Sequence, residues 1–336
     1  MPEKTRSFIE TPDYRHGIRT RIPVLSVTGT QDRPHLVCVA AQHGRELNGV
    51  AAIADVFDQL DPDRLRGTVT FLPVMNPPAV ITQQQDFPTE VMRFRNRPGI
   101  TAEYNVNRCW EPEEAPDWFC GQVTALVRET LLHGADALLD LHAWSPRQIP
   151  LAWAVPEHIA LARAFGLPHF HARQPDHPGK SHAAGEALGI PTVVVELSGQ
   201  SAVYLDALRT GVRGILNLLR HLDMLDGELE LPPVQHHLSD ERCHHHTEVE
   251  GLLVPHMRPG DPVRCGDVLG RIISLETLEM LQPLTSDRDG ICYRIGANRW
   301  GEDLLERGVV YPGQVVAIVA GLADNRPPNT SDEDRS

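Results

Sequence analysis

The chain has 336 residues, 41% of them hydrophobic and 23% charged, with a formal net charge of −14. That length suits a large core plus a second, smaller domain, and the acidic balance excludes broad electrostatic attraction to nucleic acid or to an anionic membrane. No secretory apolar region opens the sequence, no run of about 18 apolar residues interrupts it, and Cys38, Cys109, Cys120, Cys243, Cys265 and Cys292 include no C-x-x-C pair; reduced thiols and a cytoplasmic location are expected.

Residues 1–20 read as a polar lead-in. Short apolar runs at 24–27, 36–41, 69–74, 137–141, 151–154 and 192–197 then predict strands, and 3.6-residue patterns at 47–59, 118–132, 157–165, 181–188 and 204–221 predict helices. This alternation implies an α/β fold, a mixed sheet covered by helices on both faces. After His221 the texture breaks. Residues 226–249, with Pro232-Pro233 and mixed charge, read as a linker. Glycine-punctuated strand signals at 250–322 predict a small all-β domain, and residues 323–336 a disordered tail.

The chemistry concentrates at predicted strand ends, where open α/β sheets place ligands. His43-Gly44-Arg45-Glu46 follows the apolar run 36–41 at a strand-to-helix corner. Three-residue spacing turns the imidazole and the carboxylate to one side, which supplies two ligands of a catalytic zinc site. The third candidate is His142, in Asp140-Leu141-His142 at the end of a buried strand, with Asp140 on the same face. Glu196 follows four apolar strand residues and is costly to bury unless paired or working. It suits a general base for a zinc-activated water, or else a salt-bridging carboxylate. Asn105-Val106-Asn107-Arg108, preceded by Arg93, Arg95 and Arg97, offers guanidinium forks that match a substrate carboxylate; a solvated basic loop is the alternative, above all for Arg93 and Arg95.

The order H-x-x-E, N-x-N-R, D-x-H and strand-E-L-x-G, spread over roughly residues 20–320, resembles the succinylglutamate desuccinylase/aspartoacylase family, and most closely its branch that deacetylates diaminobutyrate derivatives. The resemblance implies a zinc-carboxypeptidase-like catalytic domain at 1–225, the linker, and a small C-terminal barrel-sandwich-like β domain. It further implies one zinc ion per chain held by His43, Glu46 and His142, with Glu196 as general base and proton shuttle. Asn107 and Arg108 would hold the substrate carboxylate, Arg97 would polarise the scissile carbonyl, and Asp140 would orient a ligand histidine. The sequence departs from the family pattern at Trp144-Ser145, after the third ligand, and at Cys109-Trp110, after the N-R pair. The bulky Trp144 near the pocket means that the family's acyl specificity does not transfer.

Other signals carry less. His236-His237 and His244-His245-His246 lack the spacing of a closed tetrahedral metal site and read as solvated linker. Pro178-Gly179-Lys180-Ser181 resembles the end of a phosphate loop, but Gln174 stands where a glycine is required; Lys180 and His182 are instead candidates for a loop near the active site. No G-x-S-x-G occurs, which argues against a nucleophile-elbow serine hydrolase. The β domain is similar to biotinyl and lipoyl carriers, yet residues 181–336 contain no lysine, so its role is to wall the active site or to form a homo-oligomer contact. The reading is a zinc amidohydrolase acting on a small-molecule N-acyl amino acid. A metallocarboxypeptidase or peptide amidase is the alternative, and a non-catalytic scaffold on a hydrolase fold the third.

Overall fold

A computed structural model of the chain describes residues 1–11, 20–87, 105–111, 119–297 and 308–323. Two compact units emerge, Met1–Gln235 and His236–Ser336.

The first unit is organised by strand β3, His35–Ala40, as β1 spans Glu3–Glu10 and β2 Arg21–Thr28. The two-residue period of a strand splits β3 cleanly: Leu36, Cys38 and Ala40 enter one apolar core while Val37 and Val39 enter a second core on the other face. Both faces of the sheet are therefore buried, which is why the run is continuously apolar. The remaining strands are β4 (Thr68–Leu72), β5 (Ala137–Trp144), β6 (Leu151–Ala154), β7 (His169–Ala172) and β8 (Thr192–Ser198). They align in the order β1-β2-β4-β3-β5-β8-β6-β7. The central β4, β3, β5 and β8 are mutually parallel, whereas β2 joins β4 and β6 joins β8 antiparallel.

Helices α1 (Asn48–Gln59), α2 (Pro77–Thr82), α3 (Phe119–Val127), α4 (Ile159–Phe165), α5 (Ser181–Ala187) and α6 (Leu205–His221) cover the sheet. Ile53, Val56 and Phe57 of α1 and Ile215, Leu218 and Leu219 of α6 fill the first core; Phe119, Cys120, Val123 and Val127 of α3 fill the second. The mixed sheet flanked by helices is the predicted fold class. None of the helices among the described residues is long and apolar enough to cross a membrane.

Four elements differ from the expectation. Residues 3–10 are not a lead-in but a full ladder antiparallel to β2, from Glu3 opposite Thr28 to Glu10 opposite Arg21. Its side chains are almost all exposed, so no apolar alternation marks it, and its charges suit a solvent edge. The helix α2 and the four-residue β7 were too short to show a period. Residues 236–246, assigned to the linker, form strand β9 (His236–His246), paired along β16 (Val315–Leu322). Polar residues conceal that strand because the ladder, not apolar patterning, holds it.

The second unit contains two four-stranded antiparallel sheets. One has the order β9-β16-β14-β11, with β11 at Pro262–Val263 and β14 at Gly290–Ile295. The other has the order β13-β12-β10-β15, built from β10 (Gly251–Pro255), β12 (Val268–Ile273), β13 (Met280–Thr285) and β15 (Val309–Val310). Leu253, Leu269, Ile272, Ile295, Val316 and Val319 form its core. This is the small all-β domain expected from the glycine-punctuated sequence.

Candidate metal and acyl-transfer site

The site forms where the chain leaves the buried ends of β3, β5 and β8. At the end of β3, Ala41 takes a positive φ of 48° while fully buried. Such a conformation costs a non-glycine residue about 1–3 kcal/mol. Burying each of Leu36, Val37 and Val39 contributes about 1.5–3 kcal/mol, so the anchored strand outweighs the strain. The next residues make a tight turn in which the Glu46 amide donates to the His43 carbonyl at 3.2 Å. Helix α1 begins only at Asn48, so a turn rather than a helical repeat brings His43 and Glu46 to one side. Gly44 is required there: a Cβ would lie 2.1 Å from the Ala79 carbonyl oxygen.

Glu46 bridges two imidazoles. Its Oε1 lies 2.9 Å from His43 Nδ1 and its Oε2 lies 2.8 Å from His142 Nδ1. All three residues are buried, and one ligand atom from each falls within 4.8 Å of the others. The outer nitrogens are held as well. His43 Nε2 meets Asn105 Oδ1 at 3.0 Å, and His142 Nε2 meets Asp140 Oδ2 at 2.9 Å. Both Nδ1 atoms and the Glu46 carboxylate thus converge on one point, and two imidazole nitrogens and a carboxylate are a donor set zinc accepts. The residues present fit a divalent metal.

The electrostatics follow from this crowding. Burial alone would raise the Glu46 carboxyl, but the His43 and His142 imidazoles outweigh it and hold the pKa at about 2. Burial opposes charge on His142 too, yet Asp140 and Glu46 drive its pKa well above the ordinary imidazole range. Asp140, fully buried, is held below the usual range against burial by His142, Ser181 and Gln42.

Glu196 stands beside His142. The two are register partners on the parallel strands β5 and β8. Its Oε2 is shielded from solvent and has no hydrogen-bond partner among the described residues. Burial raises its pKa well above the usual carboxylate range; His142 and Lys180 pull it down, while Glu46 and Asp140 push it up. His43, His142, Glu196, Asn107 and Arg108 all line one cavity of about 210 Å³, together with Trp144, Trp153, Arg173, Asp176, Lys180 and His182.

A model of the succinylglutamate desuccinylase/aspartoacylase catalytic domain matches residues 32–222. The chain belongs to this family. It is 26% identical over 325 residues to the N-alpha-acetyl-L-2,4-diaminobutyric acid deacetylase of Halomonas elongata, covering 90% of this chain and 86% of that protein. Its fold is similar to that of the product-bound ectoine utilization protein EutE of Ruegeria pomeroyi, with a TM-score of 0.75 and 22% identity over 95% of each chain. It is equally similar to a succinylglutamate desuccinylase/aspartoacylase of Rhodobacter sphaeroides, with a TM-score of 0.74 and 23% identity over 96% of each chain.

Within the family frame, the structure brings His43, Glu46, His142, Asp140, Glu196, Asn107 and Arg108 together. Arg97, like Arg93 and Arg95, lies outside the described residues. Asn107 is more engaged than expected: its Nδ2 lies 3.1 Å from His142 Nε2 and its Oδ1 accepts from the Ser181 amide at 3.0 Å. Arg108 Nη1 donates to the Asn107 carbonyl at 2.7 Å. The phosphate-loop look-alike also finds its explanation. Gly179 packs on the Arg108 backbone, where a Cβ would sit 2.0 Å from the carbonyl oxygen, and its own carbonyl accepts from the Trp110 amide at 2.9 Å. That contact places Lys180 and His182 on the cavity wall, as candidates near the site, and pins the Asn-Arg segment.

Sequence reasoning missed Gln42 and Ser181. Gln42 Nε2 donates to both Asp140 oxygens, at 2.9 and 2.8 Å, while its Oε1 accepts from Trp110 Nε1 at 2.7 Å. Ser181 Oγ donates to Asp140 Oδ2. The one signal available was the adjacency of Gln42 to His43 and of Ser181 to Lys180. Trp144 does line the cavity, with its Nε1 donating to the Ile149 carbonyl at 2.7 Å and its ring 6.1 Å from that of Trp153.

Proposed function

We propose that the protein is a zinc-dependent amidohydrolase that removes the acyl group from an N-acylated amino acid or a similar small carboxylate. The observation that carries this reading is Glu196 Oε2, solvent-shielded and without a hydrogen-bond partner among the described residues, on the same cavity as His43 and His142 of the His43–Glu46–His142 cluster. A carboxylate left without a partner in such a place costs stability, and proton transfer is the work that repays it.

His43, Glu46 and His142 would hold the ion, and bound zinc would supply Lewis acidity toward a water and an acyl carbonyl. Asp140 keeps the His142 ring in one tautomer and orientation, and Gln42 and Ser181 fix Asp140 in turn. Glu196 Oε2 would take a proton from the attacking water and return it to the departing amine nitrogen. The Arg108 guanidinium, with Asn107 beside it, would bind the substrate carboxylate as a planar fork. Arg97 is assigned to the scissile carbonyl on the sequence resemblance. Six free thiols support a reducing compartment, the cytoplasm. A cavity of about 210 Å³ favours a small acyl-amino acid over a peptide.

The test is release of primary amine from a panel of N-acyl amino acids, N-acetyl-diaminobutyrate included, and short peptides, with and without a zinc chelator. Chelator-sensitive cleavage of acyl-amino acids with peptides untouched is expected. Release of C-terminal residues from peptides would instead establish a carboxypeptidase, with Arg108 on the terminal carboxylate.

A further inference from the structure

The histidine-rich segment of the second unit does not act as one block. Strand β9 alternates, so His244 and His246 are exposed while Cys243 and His245 turn together to the half-buried side, Cys243 packing against the unit's core. Asp287 approaches that side from the turn between β13 and β14. Its Oδ1 accepts from Cys243 Sγ at 2.9 Å. His245 Nε2 is shielded from solvent and has no hydrogen-bond partner among the described residues. One ligand atom from each of Cys243, His245 and Asp287 lies within 4.8 Å of the others.

We propose that Cys243, His245 and Asp287 form a second divalent-metal site, taking zinc or a similar late first-row ion, separate from the acyl-transfer site and independent of its chemistry. Sulfur, nitrogen and oxygen donors together suit zinc or cobalt and disfavour magnesium or calcium. In a tetrahedral zinc site the sulfur and carboxylate oxygen sit roughly 3.6 Å apart, from Zn–S of about 2.3 Å and Zn–O of about 2.1 Å. The observed thiol–carboxylate contact of 2.9 Å is shorter than that, so metal binding would move the two donors apart by about 0.7 Å. Exposed Asp287 leaves a fourth position for water.

The turn that presents Asp287 is braced: Ser286 Oγ donates to the Arg288 carbonyl at 2.8 Å, and the Arg288 guanidinium, the nearby competing cation, is drawn off by Glu241. Burial and the Asp287 hydrogen bond push the Cys243 thiol up to about 11. Binding therefore forms a metal–sulfur bond as the thiol proton leaves to solvent. One divalent ion then balances one thiolate and one carboxylate.

Cobalt titration of the metal-free full chain tests this, because a nitrogen and oxygen site gives no thiolate-to-cobalt charge-transfer absorption whereas this one does. The expected result is a near-ultraviolet band with the intensity of one thiolate–cobalt bond per chain, complete by two equivalents of total cobalt because the acyl-transfer site takes the other, and displaced by zinc. Cys243→Ser should abolish it, and His245→Gln should weaken cobalt binding at least tenfold. Cys265→Ser should leave the band intact, and Cys243→Ser should leave amide hydrolysis unchanged. Absence of the band from the unmodified chain, or its persistence in Cys243→Ser, would overturn the proposal whatever the folding of the variants.

Discussion

Glu196→Gln separates catalysis from stability more sharply than any other change in this protein. Glutamine is nearly isosteric, so the contacts of β8 with β5 and β6 survive, including the register pairs of residue 196 with His142 and Leu151. What disappears is a group that can accept and return a proton. General acid–base catalysis contributes about 10²–10⁴-fold, so kcat should fall by that factor, about 2.7–5.5 kcal/mol of barrier, with metal content unchanged. Stability should move the other way. The folded pKa of Glu196 is raised, chiefly by burial, so its contribution is fully present below the unfolded carboxylate pKa and is lost as pH rises toward the folded value. In the metal-free protein, Glu196→Gln should therefore gain stability relative to the parent between about pH 4.5 and neutrality. Single-turnover kinetics with metal analysis, and urea melts at pH 5 and pH 8, read the two effects. Near-normal turnover in the variant would refute the assignment of Glu196 as base. Equal losses of activity and of folding would show a structural carboxylate instead.

Three other changes probe the surroundings. Asp140→Asn removes the acceptor that fixes His142, and metal affinity measured by chelator competition should fall 10–100-fold, about 1.4–2.8 kcal/mol; unchanged affinity would mean that Asp140 does not orient the ligand. Arg108→Ala should raise KM about 10- to 150-fold, from the loss of charge-assisted hydrogen bonds, with kcat little altered. Arg209→Ala on the exposed side of α6 serves as comparison, and equal effects would remove the carboxylate clamp. His182 has its pKa lowered to about 4 by burial, with Arg173 and Lys180 adding to it and Asp140 and Asp176 opposing. The unfolded chain takes up that proton first as the solution is acidified, so stability drains between about pH 6.5 and 4, on the order of 3 kcal/mol in all. His182→Gln should flatten this part of the pH–stability curve, and an unchanged slope would refute the burial argument.

How much of this was legible depended on whether a residue's neighbours in sequence were also its neighbours in space. The apolar runs at 36–41, 137–141 and 192–197 marked strands because both faces of those strands are buried, and a polar residue ending such a run stands out. His43, His142 and Glu196 were found for that reason. β1 and β9 were hidden by the opposite condition, since hydrogen-bonded ladders hold them while the side chains of β1 are almost all exposed and those of β9 mostly polar and only half-buried or exposed. Gln42 and Ser181 left only their adjacency to His43 and Lys180. Their partner, Asp140, lies 98 and 41 residues away, and nothing local distinguishes a glutamine that carries a buried hydrogen bond from one that does not. Gly179 was noticed for the wrong chemistry, because a glycine needed for close backbone approach looks the same in sequence whether a phosphate or another loop approaches.

The resulting division of labour bears on how such a site changes its substrate. Asp140, His142 and Glu196 project from adjacent parallel strands, and Glu46 and His43 from the turn that a buried third strand feeds. Moving any of these requires moving the sheet, whose packing resists displacement. Arg108 and Lys180 belong instead to two loop segments clasped through Gly179, and Trp144 and Trp153 lie at the edge of the cavity where β5 and β6 run out. The strands thus carry Asp140, His142 and Glu196, and the turn after β3 carries His43 and Glu46, while the rest of the cavity wall draws on loop segments and on the last residues of β5 and β6.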